Sequence, residues 1–262
     1  MKTALLIDLE NDMQKRKPNS AFKFTIRLLF LLFLILGLTL RFWALPALRQ
    51  KRIAQWVSMQ RGDVAYQEEL VATERNGQAE YGLIKEMLGV DFVDRIASVS
   101  LKTAGDMTEL SGLPYLRYLS IGQYGGPDLS GLEGMVELES LTINESGKVD
   151  LAVLERLPSL SYLAFTNSKT ENFVPLRNLN ALTYLDLYGS QMSDVNDLEH
   201  LTQLEWLFLP DFANQLVDIS PLKKLVNLRH LCLYKSCFSE EHYQELKSAL
   251  PDCHIEFYPS DD

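Results

Sequence analysis

His230 and Cys232 stand two residues apart. On an extended strand that spacing points both side chains the same way, the geometry of a thiol nucleophile beside its base. No third group is evident to orient the histidine, so the pair reads as two surface neighbours. Glu240, Glu241, His242 and Glu245 have the residue types of a metal cluster, but on one exposed helix they are more simply a polar face. The remaining histidines, His200 and His254, are scattered. No phosphate loop, G-x-S-x-G elbow, H-E-x-x-H or calcium-binding loop occurs. The three cysteines, Cys232, Cys237 and Cys253, form no CxxC pair; packed thiols are expected, with a disulfide stapling the last repeat as the alternative. The expectation is therefore no catalytic residues, no metal and no cofactor. A different chemistry is better supplied. Tyr162, Tyr184, Tyr188, Trp206, Phe208, His230 and Tyr234 recur at related spacings, with Asp186 and Glu205 among them. Aromatic rings held on a rigid surface give large contact area at low entropy cost, which is the chemistry of recognition.

The elements that must position those rings are visible as a repeat. The pattern L-x-x-L-x-L occurs at Leu116-Leu119-Ile121, Leu138-Leu141-Ile143, Leu160-Leu163-Phe165, Leu182-Leu185-Leu187, Leu204-Leu207-Leu209 and Leu228-Leu231-Leu233. Its middle leucine advances by 22 residues from Leu119 to Leu207 and then by 24 to Leu231. Imperfect copies flank it at Ile96-Val99-Leu101 and Leu250-Cys253-Ile255. In an L-x-L strand the leucines face inward and the x residues outward. One coil cannot bury its own leucines, so stacked coils must share a core. This is a leucine-rich repeat, and the fold class is α/β: a curved parallel sheet of about eight coils with short convex helices or 3₁₀ turns.

The concave positions follow. Before each middle leucine stand Tyr118, Ser140, Tyr162, Tyr184, Trp206 and His230. After it stand Ser120, Thr142, Ala164, Asp186, Phe208 and Cys232. The next outward register holds Gly122, Asn144, Thr166, Tyr188, Pro210 and Tyr234. The predicted partner-binding patch is thus Tyr162, Tyr184, Asp186, Tyr188, Glu205, Trp206, Phe208, His230 and Tyr234. The insertion at 210–218 frames the same end. The return segments DLSGLEGMVEL, DLAVLERLPSL, DVNDLEHLTQL and DISPLKKLVNL carry an apolar residue every third position, as a short turn of helix needs. Asp128, Asp150, Asp194 and Asp218, with Asn172 in the odd repeat, are placed to accept from its first free N–H groups.

The repeats, MSDVNDLEHLTQL and VDISPLKKLVNL above all, resemble the internalin-type leucine-rich repeat across about residues 95–257. They depart from it at one register, where Ser146, Ser168 and Ser190 stand in place of the usual buried asparagine. A serine makes similar backbone hydrogen bonds with less reach.

Upstream, Leu28 to Leu40 contains no charged residue. Extended to 24–45, the segment is about 22 residues and roughly 33 Å as a helix, long enough to span a bilayer. Arg27 and Arg41 at its ends suit snorkelling and Trp43 suits an interface. A cleaved signal peptide and a buried soluble helix are the alternatives; the long leader and the absence of a clean A-x-A site favour an anchor. The predicted organisation is a tail at 1–23, a transmembrane helix at 24–45, a basic juxtamembrane helix at 46–61, a solenoid cap at 62–95 and the repeat domain with its closing coil at 96–262. The apolar side of the basic helix, Ile53, Trp56 and Val57, suits either anionic headgroups or a connector. EYGLIKEMLG (80–89) reads as a helix ended by Gly89.

The order of anchor, basic helix, Gly62-x-Val64-x-Tyr66, Leu88-Gly89-Val90-Asp91-Phe92 and Val99-Ser100-Leu101 resembles a family of bacterial membrane-anchored leucine-rich repeat proteins. That resemblance implies no enzymatic activity and names no ligand. Charge agrees with two distinct parts. Residues 1–52 carry a net +7, while the whole chain is −10, which leaves −17 on residues 53–262. An acidic body argues against nucleic acid, whose binding needs clustered Lys and Arg. The expected function is recognition of a protein or other ligand at a membrane, with the body outside and the N-terminus inside. The alternative is a structural spacer without a specific ligand.

Overall fold

The structure, a computed structural model, describes residues 20–39, 41, 44–66, 95–212 and 217–258. The chain divides into two units, Met1–Leu48 and Arg49–Asp262.

In the first unit, helix α1 spans Ser20–Thr39, about 30 Å at 1.5 Å per residue. Its side chains are described from Leu28 to Leu38, and each large apolar one there is exposed, Phe30 by 73% and Phe33 by 68%. Among the described residues no helix is long and apolar enough to cross a membrane. The predicted roles of Arg27 and Trp43 lie outside the described side chains, as does the tail up to residue 19. Arg41 and Ala44 lie in a wider, π-helical turn ahead of α2, Leu45–Met59. Pro46 sits in the first turn of α2, where its missing N–H leaves no bond unmade. The proline therefore does not end a helix here; a wide turn is a usual local adjustment beside one.

The second unit is the solenoid. Among the described residues nine strands form one sheet in sequence order: β1 Asp63–Tyr66, β2 Ile96–Ala104, β3 Tyr118–Tyr124, β4 Ser140–Asn144, β5 Tyr162–Thr166, β6 Tyr184–Asp186, β7 Trp206–Phe208, β8 His230–Tyr234 and β9 His254–Tyr258. β2 to β9 are parallel, one per coil. The register brings Leu119, Leu141, Leu163, Leu185, Leu207, Leu231 and Ile255 side by side. The leucines of this row are almost wholly buried. A continuous leucine interior behind a parallel sheet defines a leucine-rich repeat solenoid.

Each return segment is a 3₁₀ turn: Thr108–Gly112, Ser130–Leu132, Ala152–Arg156, Val174–Asn178, Asn196–Leu198 and Leu222–Lys224. Their every-third apolar residues, such as Leu129, Leu132, Met135 and Leu138, are buried. The aspartates start these turns. Oδ1 of Asp128, Asp150, Asp194 and Asp218 accepts the N–H two residues on at 2.8–2.9 Å, and Asn172 does so at 3.2 Å. The serine register is buried and bonded. Ser146 Oγ lies 2.8 Å from Ser168 Oγ, Ser168 Oγ accepts from Thr170 N, and Ser190 donates to the Leu187 carbonyl.

The first end of the coil stack is covered by α2 and β1. At the first coil, Ile53 and Val57 of α2 are fully buried in the leucine core, and Trp56 packs partly against it. The apolar side of the basic helix is therefore spent on the protein interior and is not free for headgroups. Arg61 turns the chain with φ 55°. At Gly62 a Cβ would collide with the Ser100 carbonyl, so only glycine lets β1 lie antiparallel on β2. The expected helix over 80–89 lies outside the described residues. The last coil replaces its 3₁₀ turn with α3, Glu240–Ala249, capped by Ser239 and His242 in a reciprocal box.

Candidate recognition surface on the concave sheet

The register before each middle leucine becomes a row of rings on adjacent strands. Tyr162 pairs with Tyr184, Tyr184 with Trp206, Trp206 with His230 and His230 with His254. The Tyr162 and Tyr184 rings stack at 4.2 Å and 10°, and Trp206 and His230 stack at 3.6 Å and 11°. Tyr184 to Trp206 is 6.5 Å, and His230 meets His254 edge-on at 5.9 Å. Strand spacing of about 4.8 Å sets ring contact whenever neighbouring strands carry rings at one register. The row stops at Ser140 for that reason. A second row lies four residues along, where Tyr188, Tyr234 and Tyr258 approach at 6.1 and 6.2 Å in tilted pairs. Tyr184 also touches Phe208 at 5.5 Å.

The predicted residues come together with two corrections. Trp206 and Tyr188 are exposed, and Tyr162, Tyr184, Asp186, Glu205, Phe208 and His230 are half-buried. Tyr234 is only 5% exposed. It points away from the leucine interior but lies between the rings of Tyr188 and Tyr258. Cys232, expected on the open face, is likewise buried. Both are covered by the next strand, β9, whose concave residues His254, Glu256 and Tyr258 extend the surface. That strand is missed when the repeat is read only through its perfect copies. The imperfect Leu250-Cys253-Ile255 carries His254 at the register of His230.

Charge on this surface is partly satisfied. Glu205 pairs with Arg229 at 3.6 Å, and Glu139 with Arg117 at 2.8 Å. Among the described residues Asp186 has no such cation. Its Oδ1 accepts the Tyr188 N–H at 2.9 Å, yet burial outweighs that bond and pushes its carboxyl above the usual range. Burial, then the neighbouring Tyr162 hydroxyl, raises the Tyr184 phenol.

Thiol chemistry is disfavoured by the same surroundings. All three cysteines are free and buried. Burial pushes up the Cys232 thiol, and the His230 imidazole beside it lies flat on Trp206. Burial also holds Cys253 at about 11 despite Lys247. Among the described residues no group of His, Cys, Asp and Glu is arranged to hold a metal ion.

No protein-family model matches the chain, and no curated protein matches it. Solved structures do. Internalin C2 of Listeria monocytogenes is similar over 62% of this chain and 81% of its own, at 20% identity and a TM-score of 0.46. The internalin InlF of the same organism is similar over 61% and 54%, at 24% identity and 0.43. A leucine-rich repeat protein of Leptospira interrogans is similar over 69% and 41%, at 17% identity and 0.41. This chain spans about half of InlF and less of the Leptospira protein. The assignment as a leucine-rich repeat protein rests on the coils described above.

Proposed function

We propose that this protein recognises a partner polypeptide through its concave aromatic rows while its N-terminal segment holds it in a membrane. The observation that carries recognition is the run of rings from Tyr162 to His254 across five adjacent strands, on the side away from the leucine interior. Rings already packed on one another are ordered before any partner arrives, so binding loses little side-chain freedom. In this reading Trp206, Tyr184 and Tyr188 are the anchors, with Tyr162, Phe208, His230, Glu205 and Asp186 around them. Tyr234 supports Tyr188 from beneath.

The membrane reading is supported by the sequence, in which Leu28 to Leu40 carries no charged residue, and by the exposed apolar side chains from Leu28 to Leu38. Residues 24–45 are the span, with the N-terminus inside and the repeat domain outside. The partner is a protein and not nucleic acid, in keeping with the acidic body.

Capture from solubilised membranes with the full chain, Trp206→Ala and Tyr184→Ala tests recognition. Loss of a defined partner in both variants, with cooperative melting retained, is expected. A partner captured equally by all three would remove the concave face from binding and leave the spacer reading. Cleavage of the repeat domain by protease added to intact cells tests the orientation.

A further inference from the structure

Between the two aromatic rows runs the middle concave register: Ala164, Asp186, Phe208, Cys232 and Glu256, one residue on each of five strands. It forms the floor of a trough. Ala164 and Cys232 are 4% and 6% exposed although they stand at outward registers, Ala164 between flanking side chains and Cys232 beside β9. Phe208 tilts 39° from Tyr184 and so is not stacked flat on it. Tyr162 with Tyr184 and Trp206 with His230 each share one face in a parallel stack, whereas Phe208 stacks flat on neither neighbour.

Asp186 lies on that floor beside Phe208. Every other concave carboxylate considered above has an arginine or stands at the exposed last strand; Asp186 has the Tyr188 N–H. A carboxylate drawn out of water among rings, with no basic side chain of the described residues paired to it, is a site for a cation. Aromatic faces attract the same charge. The whole body is acidic, with net charge −17 over residues 53–262, so a basic partner segment is complementary.

We propose that the trough receives a lysine or arginine side chain of the partner polypeptide, its aliphatic stem against Phe208 and its charged head on the Asp186 carboxylate. This rests on the recognition reading above and names its chemistry. The stem covers apolar ring surface while the head remains ion-paired, which is how long cationic side chains bind amphipathic sites.

The test titrates the full chain in detergent with a blocked Gly-Arg-Gly peptide and with its neutral isostere carrying citrulline, followed by NMR. The arginine peptide is expected to shift resonances of Tyr184, Asp186 and Phe208, and the citrulline peptide to bind at least tenfold more weakly. Asp186→Asn should lose at least tenfold for the arginine peptide and abolish the discrimination. Its melting temperature should not fall, because an asparagine Oδ1 still accepts the Tyr188 N–H. Phe208→Leu is a second route to the same loss. Glu133→Gln, on the convex side, should bind as the parent does. Equal binding of the two peptides, undiminished binding by Asp186→Asn, or a response to a neutral oligosaccharide but to neither peptide overturns the assignment. A partner lost by Trp206→Ala yet fully retained by Asp186→Asn overturns the cation site alone. Retention by Trp206→Ala and Tyr184→Ala removes the recognition reading itself.

Discussion

The indole of Trp206 lies flat on the imidazole of His230, 3.6 Å between centroids and 11° from parallel. The pair spans two strands joined by a 24-residue coil, longer than those before it, yet the register is kept. Trp206→Ala should therefore lose only the ring contact, about 1 kcal/mol, read as a small shift in the urea midpoint with unchanged slope.

Leu185 is fully buried in the leucine row, whereas Val226 on a convex turn is 71% exposed. Leu185→Ala should cost about 2–5 kcal/mol, through lost transfer energy and a cavity closed in by neighbouring coils. Val226→Ala should stay within about 0.5 kcal/mol. Equal urea midpoints for the two variants would contradict the shared core.

Ser168 is the middle of the buried serine chain, bonded to Ser146 Oγ and to Thr170 N. Ser168→Ala strands a hydroxyl and an amide in the interior, at about 1–3 kcal/mol for each unsatisfied group. Amide exchange at Thr170 should accelerate before that of distant coils, because solenoid stability is local to neighbouring repeats.

Stability should also depend on acid in a defined direction. Hydrogen bonds from Thr108, Ser130 and Ser220 hold the Asp106, Asp128 and Asp218 carboxyls below the ordinary aspartate value. Their folded state binds protons less readily than the unfolded chain. Their contribution is present above that value and is lost as pH falls through the depressed folded values. Asp186 has the opposite sign, since burial raises it. It favours the folded state below the unfolded value and loses that contribution as pH rises through the folded one. Urea midpoints between pH 2 and pH 7 should show Asp128→Asn reducing the acid loss and Asp186→Asn raising stability at neutral pH.

The three buried thiols make a chemical clock. Cys237 donates to Asp211 at 3.0 Å, and burial raises all three. Thiolate is the reactive form. A thiol reagent at neutral pH should label none of Cys232, Cys237 and Cys253 in the folded chain and all three in urea. Rapid labelling of folded Cys232 would revive it as a nucleophile.

The sequence alone determines the coil. A 22-residue leucine period can be satisfied only by stacking, and period-two alternation in each strand assigns the concave registers without any structure. The aspartates before each turn are equally legible, because an N–H two residues on is a local partner. Tertiary structure decided what depends on the neighbouring coil. The burial of Tyr234 and Cys232 comes from a ninth strand with an imperfect motif. The apolar side of α2 has the same pattern for a membrane surface as for a protein core, and only packing spends Ile53 and Val57 on the first coil. Whether Asp186 has a cation is likewise set by strands 22 and more residues away: local spacing tells which way a side chain points, not what stands across from it.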